Sequence, residues 1–197
     1  MMQKMRCFIA IDLPGQILSR LTQKTSEYKK KLPPVVRWVK PENIHLTLKF
    51  LGEITPQEVK SIELQLDAIG SRYAPIDLTF SGNGAFPNWN RPRILWVGLI
   101  HTDALFSLVD EIETELRSIG IPPDNRPFSP HITIGRFKDF AKPGEIDLIK
   151  QNFCDEVVLD ETITITEIYL YQSILRPSGP EYTRLQITKL GHTEKQC

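Results

Sequence analysis

Apolar positions follow two different periods along this chain, and each change of period marks a new element. Alternating or short unbroken apolar runs, rich in β-branched and aromatic residues, predict seven strands: Arg6 to Asp12, His45 to Gly52, Ile76 to Ser81, Ile94 to Ile100, His131 to Phe137, Thr162 to Tyr171 and Thr183 to Leu190. Helical spacing fills the gaps. Val59, Ile62, Leu66 and Ile69 form one apolar face behind Thr55, Pro56 and Glu58, which read as an N-cap, a proline at the first helical position and the carboxylate of a capping box. Leu105, Leu108, Ile112, Leu116 and Ile119 repeat the pattern behind a Thr102 cap. Pro14 to Leu32, with Ile17, Leu21 and Tyr28, and the shorter Gly144 to Phe153 complete four helical stretches. One-faced helices alternating with strands imply an α+β or α/β domain with enough strands for two small sheets.

The chain states one phrase twice. Residues 45–48 read His-Leu-Thr-Leu and residues 131–134 read His-Ile-Thr-Ile, each at a strand start shortly after a proline, Pro41 and Pro130. The copies lie 86 residues apart within comparable sets of strands and helices, which points to an internally duplicated, two-lobed architecture.

Side chains alternate faces on a strand, so His45 and Thr47 share one face while Leu46, Leu48 and Phe50 point to the core. His131 and Thr133 likewise stand opposite Ile132 and Ile134. Each strand thus presents an imidazole and a hydroxyl about 7 Å apart on its unburied side. Two such strands facing one cleft make a four-cornered polar site. An imidazole titrating near neutrality serves as either acid or base, and a threonine hydroxyl donates to phosphate oxygens as charge builds on them. An in-line displacement at phosphorus needs acid and base on opposite sides, which strands from two lobes supply. A zinc site is the competing use of paired histidines. Lys49 follows one motif and Arg136 the other, with no local carboxylate or cysteine to complete a ligand set, so no metal is expected. His101, beside the Thr102 cap, and His192, in the tail, read as structural or idle.

Composition narrows the partners. Of 197 residues, 24 are Lys or Arg and 24 Asp or Glu, so the formal charge is zero and bulk attraction to nucleic acid or anionic membrane is excluded; phosphate binding must be local. The apolar run Cys7 to Ile11 is too short for the core of a signal peptide, and no stretch reaches the length of a membrane span. Three cysteines, Cys7, Cys154 and Cys197, without a CxxC pair support neither a disulfide framework nor a thiolate zinc site, and fit a reducing cytoplasmic setting. Cys154 has no neighbouring base and reads as filler.

The two motifs, in the strings RCFIAIDLP, HLTLKFLGEI and HITIGRF, resemble the 2H phosphoesterase superfamily, and within it the RNA 2′,3′-cyclic phosphodiesterase family, also called 2′-5′ RNA ligase or LigT-like. The resemblance spans nearly the whole chain. It implies an α+β, bilobal fold of two antiparallel sheets flanking a central cleft, with helices on the outer faces, in a single domain over 1–191 followed by a tail, 192–197. It implies hydrolysis of terminal 2′,3′-cyclic phosphates of RNA to 2′-phosphomonoesters without metal or cofactor. His45 would be the proton donor and His131 the acceptor, with Thr47 and Thr133 on the phosphate oxygens. The same groups would serve reversible 2′-5′ joining of tRNA-like halves, and a non-catalytic nucleotide-binding module is the third reading. The expected partner is RNA with a cyclic terminus or a small cyclic nucleotide, met by a monomer.

Arg136 occupies a place where the family often carries a phosphate- or base-contacting arginine, yet counting by twos from His131 sends it to the opposite face unless Gly135 marks a bulge. The same counting puts Lys49 on the site face. Gly82 to Arg93 reads as a loop whose Phe86, Trp89, Arg91 and Arg93 either cap one lobe or stack unpaired bases, Phe86 being the one closest to a strand. Arg176 to Tyr182 reads as a rim loop.

Overall fold

The computed structural model describes residues 4–154, 158–177 and 179–191. Within them the chain runs β1 (Met5–Asp12), α1 (Gly15–Lys31), β2 (Val36–Trp38), β3 (His45–Ile54), α2 (Pro56–Gly70), β4 (Ile76–Phe86), β5 (Ile94–Leu99), α3 (Asp103–Ser118), β6 (His131–Phe137), α4 (Pro143–Cys154), β7 (Thr162–Ile165), β8 (Glu167–Arg176) and β9 (Gly179–Lys189). His192 and Cys197, with the expected tail, lie outside the described residues.

The helices form where their apolar faces and caps direct. Thr55 Oγ1 accepts from the Glu58 amide at 3.3 Å while Glu58 Oε2 accepts from the Thr55 amide at 2.6 Å, closing the capping box. Val59, Ile62, Leu66 and Ile69 are buried, as are Leu105, Leu108, Ile112 and Leu116 of α3 behind the Thr102 cap. The α2 C-terminus lies so close to β9 that a Cβ on Gly70 would meet the Lys189 carbonyl oxygen at 2.5 Å.

All strand pairs are antiparallel, in the order β7-β4-β5-β6-β3-β1-β8-β9, with β2 on β6. The curled sheet has two halves, β3-β1-β8-β9 and β6-β5-β4-β7. They meet at one residue pair, Leu46 opposite Ile132. The duplication is visible in the units: β1-α1-β3 and β5-α3-β6 each end on a strand that opens with the repeated motif.

Both motif strands break their alternation at the same offset. In β3 the partner of Ala10 is Thr47 and the partner of Ile9 is Lys49, so Leu48 is an extra residue. In β6 the partner of Trp96 is Thr133 and the partner of Leu95 is Gly135, so Ile134 is extra. Each bulge reverses the phase beyond it. Lys49 therefore turns into the core instead of onto the site face, and Phe50 turns out of it, 60% exposed.

Burial of Lys49 is compensated: its Nζ donates to Glu113 Oε2 of α3 at 2.7 Å and to the Pro122 carbonyl at 3.1 Å. A buried ammonium needs such a partner, because taking it from water costs several kcal/mol. The pair also ties β3 to the segment that leads from α3 into β6.

Three other sequence expectations change. Residues 82–86 belong to β4, with only 87–93 left as a loop; a register shift between Phe80 and Asn83 and the left-handed Gly82 (φ 68°) carry the strand through its polar, glycine-rich stretch. Thr162 to Tyr171 is two strands, because Thr166 leaves the ladder and its carbonyl accepts from the Leu190 amide. The stretch 176–182 is mostly the start of β9, paired back onto β8.

The Lys49 pair gives a stability test. Glu113→Ala leaves the ammonium unpaired and is expected to cost about 3–5 kcal/mol in chemical denaturation. The double change Lys49→Met with Glu113→Leu should recover most of that loss, and an undiminished single mutant would contradict the pairing role.

Candidate active site

The antiparallel pair Leu46–Ile132 builds the site. These two side chains are fully buried on the core face, so the residues flanking them point to the other side. In an antiparallel register His45 then falls across from Thr133, and Thr47 across from His131. Imidazole and hydroxyl alternate around the four corners, and the two imidazoles lie on a diagonal, about 7–8 Å apart in a regular pair. A positive charge on His131 lowers the pKa of His45, so the rings are close enough to sense each other.

The two histidines are held alike. His131 Nδ1 lies 2.7 Å from the Ser129 carbonyl, two residues earlier, and the backbone of Asn43, also two residues earlier, acts on the His45 ring to favour its cation. At His131, an Nδ1–H engaged in this way leaves Nε2 as the nitrogen available to a substrate. Each ring also leans on an aromatic neighbour. Phe8 of β1 stacks on His45 at 4.9 Å, Tyr182 of β9 meets it edge-on at 5.3 Å, and Phe86 at the end of β4 meets His131 edge-on at 4.9 Å.

These surroundings set the acid–base chemistry. Burial pushes the His45 imidazole down to about 4, opposed by the Asn43 hydrogen bond and the Asp12 carboxylate and reinforced by the charges of Arg136 and His131. Burial likewise lowers His131, opposed by the Ser129 carbonyl and reinforced by Arg136. The halves differ in charge: a carboxylate acts on His45. Asp12 is the cross-strand partner of His45 and shares its face. It is held by the Tyr171 hydroxyl, 2.8 Å from each carboxylate oxygen, and by Arg184 Nη2 at 2.6 Å, while Arg184 Nε donates to Tyr171 at 2.9 Å.

Thr47 and Thr133 stand half-buried on the site face, as the alternation requires. Arg136 joins them. The bulge at Ile134 re-aims it, and its charge is felt by His45, His131 and Tyr182. Phe86 belongs to the site, whereas Trp89 packs against Phe153 of α4 at 6.3 Å, away from the histidines. Among the described residues, no group of three or more His, Cys, Asp or Glu is placed to hold a metal ion.

Sequence reasoning did not find Phe8, Asp12, Tyr171, Tyr182 or Arg184. Tyr169 and Tyr171, and Tyr182 and Arg184, each show a period of two, which marks a shared face. What assembles them beside His45 is the order β3-β1-β8-β9, a set of long-range pairings that no local pattern encodes.

Comparison with known proteins agrees with this geometry. The chain matches the family described as LigT like Phosphoesterase over residues 11–96 and 100–182. It is 34% identical over 185 residues to the RNA 2′,3′-cyclic phosphodiesterase of Archaeoglobus fulgidus, an alignment covering 93% of this chain and 99% of the relative. A crystal structure of a Thermus thermophilus protein superposes with a TM-score of 0.82 at 26% identity, covering 94% of this chain and 98% of the other. Escherichia coli LigT complexed with 3′-AMP gives 0.74 at 28% identity, covering 95% and 98%. With the family matched across nearly its whole length and the bilobal α+β fold shared with solved members, this chain belongs to the LigT-like phosphoesterases.

Proposed function

We propose that this protein hydrolyses 2′,3′-cyclic phosphodiester ends of RNA to 2′-phosphomonoesters, using His45 and His131 as acid and base and no metal. The observation that carries the reading is the alternation of two imidazoles and two hydroxyls around the Leu46–Ile132 pair. The Archaeoglobus relative bears the name of this activity, and the Escherichia coli neighbour was crystallised with an adenosine monophosphate.

In the proposed reaction the cyclic phosphate lies between the four corners. Neutral His131 takes a proton from water as its oxygen bonds to phosphorus. The bond from phosphorus to the 3′ oxygen breaks on the opposite side, and protonated His45 gives its proton to that oxygen. The product keeps the phosphate on the 2′ oxygen, and the two histidines exchange protons with solvent to reset. Thr47, Thr133 and Arg136 hold the non-bridging oxygens as their charge grows, where each positioned donor is worth about 10²–10³ in rate.

Asp12 supports the assignment of His45 as the acid. In the free protein both rings are depressed by burial, so near neutral pH both are uncharged. The bound phosphodiester anion favours the cation at either ring, and the Asp12 carboxylate adds to this at His45 alone. The complete site comes from one chain and fits a monomer, and the buried thiol of Cys7 fits a cytoplasmic setting.

The direct test incubates chelator-treated protein with a 2′,3′-cyclic nucleotide and identifies the product. A 2′-monophosphate is expected, and His45→Ala or His131→Ala should each lose turnover by at least the 10²–10⁴-fold typical of an acid–base group, with thermal unfolding retained. A 3′-monophosphate, or near-normal turnover in either variant, would refute the assignment.

The pH dependence has a stated sign. The rate should be bell-shaped, falling at low pH as His131 gains a proton and at high pH as His45 loses one. The bound anion raises both groups, so the kcat profile should lie at higher pH than the kcat/KM profile. Asp12→Asn removes the charge that favours the His45 cation, with Arg136, Tyr182 and His131 still facing that ring. Its basic limb should move to lower pH while its acidic limb stays; movement of the acidic limb instead would exchange the roles of the two histidines.

A further inference from the structure

Strand β2 is only three residues long, yet its place is fixed. Val36 and Trp38 point into the core: a Cβ on Gly135 would meet Val36 Cγ1 at 2.7 Å, and the Trp38 indole stacks on Tyr28 at 5.6 Å. The Lys138 amide donates to the Val35 carbonyl at 2.8 Å and the Val39 amide to the Ile134 carbonyl at 3.0 Å, which holds both ends of the strand against β6. Arg37, between two inward residues, therefore points to the opposite face and is exposed.

The cross-strand partner of Arg37 is Arg136. The bulge at Ile134 has already turned Arg136 onto the site face, so the two side chains stand next to each other there, on Cβ atoms about 4.5–5.5 Å apart. On the other side of Arg136 the neighbour is Ile94, which brings no charge. Among the described residues neither guanidinium has an ion-pair or hydrogen-bond partner. A lone arginine on an edge strand needs no explanation, because charge there deters pairing with other sheets. Two like charges set directly opposite each other cost stability, and an anionic ligand that reaches both removes that cost.

The two arginines differ in their reach toward the histidines. Arg136 is among the charges acting on both His45 and His131, and Arg37 is not. Arg136 thus serves the reacting phosphate. Arg37 lies farther out, offset from Thr133 by about 7 Å along the strands and about 5 Å across to β2, a step of one nucleotide in an extended strand. With no net charge on the protein to attract a polyanion in bulk, each phosphate must be met by a placed group such as this one.

We propose that Arg37 binds the phosphodiester preceding the terminal nucleotide of the RNA, while Arg136 attends the cyclic phosphate between His45 and His131. This rests on the reading given above. It makes the end of an oligonucleotide, and not a free cyclic mononucleotide, the better-bound substrate, and it places that preference in one residue of an edge strand.

The test uses product forms, a nucleoside 2′-monophosphate and a dinucleotide ending in a 2′-phosphate, so that binding is read without turnover, with thermal unfolding as the check on folding. At low salt the wild type should bind the dinucleotide about tenfold more tightly when its internal linkage is a phosphodiester than when it is an uncharged methylphosphonate, and Arg37→Gln should show almost no such difference. Arg37→Lys, which keeps the charge, should retain most of it. For the phosphodiester dinucleotide, the slope of log affinity against log salt should be shallower by about 0.7 in Arg37→Gln, the share of one phosphate contact on a single strand. Equal discrimination between the two linkages in wild type and Arg37→Gln, or none in the wild type, would overturn the proposal. So would a loss in Arg37→Gln as large for the 2′-monophosphate as for the dinucleotide, which would put Arg37 on the terminal phosphate. Absence of turnover of a dinucleotide with a 2′,3′-cyclic end by the wild type would count against hydrolysis alone, because the binding measurement needs no catalysis.

Discussion

The site depends on the contact between β3 and β6 at Leu46 and Ile132. Two strands from the two halves of the sheet touch at this pair, and both side chains are fully buried, so packing locks the residue faces on either side of it. Antiparallel geometry does the rest, setting each histidine across from the other strand's threonine. A slip of one residue would send every site residue into the core, which is why a single well-packed pair is a sufficient constraint. Beyond it the halves diverge, each taking its own neighbour, β1 or β5.

The paired bulges divide the labour among the side chains beyond the motif. By reversing phase they put Lys49 and Gly135 inward and Phe50 and Arg136 outward. The inward positions then differ by what packs over them. A Cβ on Gly135 would meet Val36 Cγ1 of β2 at 2.7 Å, so that half has room only for hydrogen, while the other accepts a lysine because α3 supplies Glu113. A duplicated scaffold thus carries unequal chemistry: a carboxylate network and stacked rings around His45, an edge-on Phe86 beside His131, and the Arg136 charge felt at both. In the proposed reaction, that inequality lets two chemically identical side chains take opposite roles in one proton-transfer sequence.

Much of this was legible in the residues. The repeated motif named His45, Thr47, His131 and Thr133 as one polar face, and the structure brings them together around one residue pair. The Thr55 capping box and the apolar faces of α2 and α3 appear where their spacing placed them. Alternation failed at Lys49, Phe50 and Arg136 for a single physical reason: a bulge is defined by what the partner strand does, and no local pattern contains the partner. The possibility raised by Gly135 was the one local hint. β2 escaped notice because three residues between prolines become a strand only on meeting β6. For Trp89 the residues left capping and base stacking both open, and its ring packs on Phe153, far along the chain, as a cap does. The Asp12, Tyr171 and Arg184 network joins three strands distant in sequence and is a property of the sheet order alone.

The central claim is that both imidazoles face one phosphate at once. Nitrogen-resolved NMR of the two rings during titration with a nucleoside 2′-monophosphate, near neutral pH, examines this without any turnover. The account predicts that signals of both His45 and His131 move along the same saturation curve and that binding protonates an imidazole which is neutral in the free protein. Perturbation of one ring only, or of neither, would contradict it.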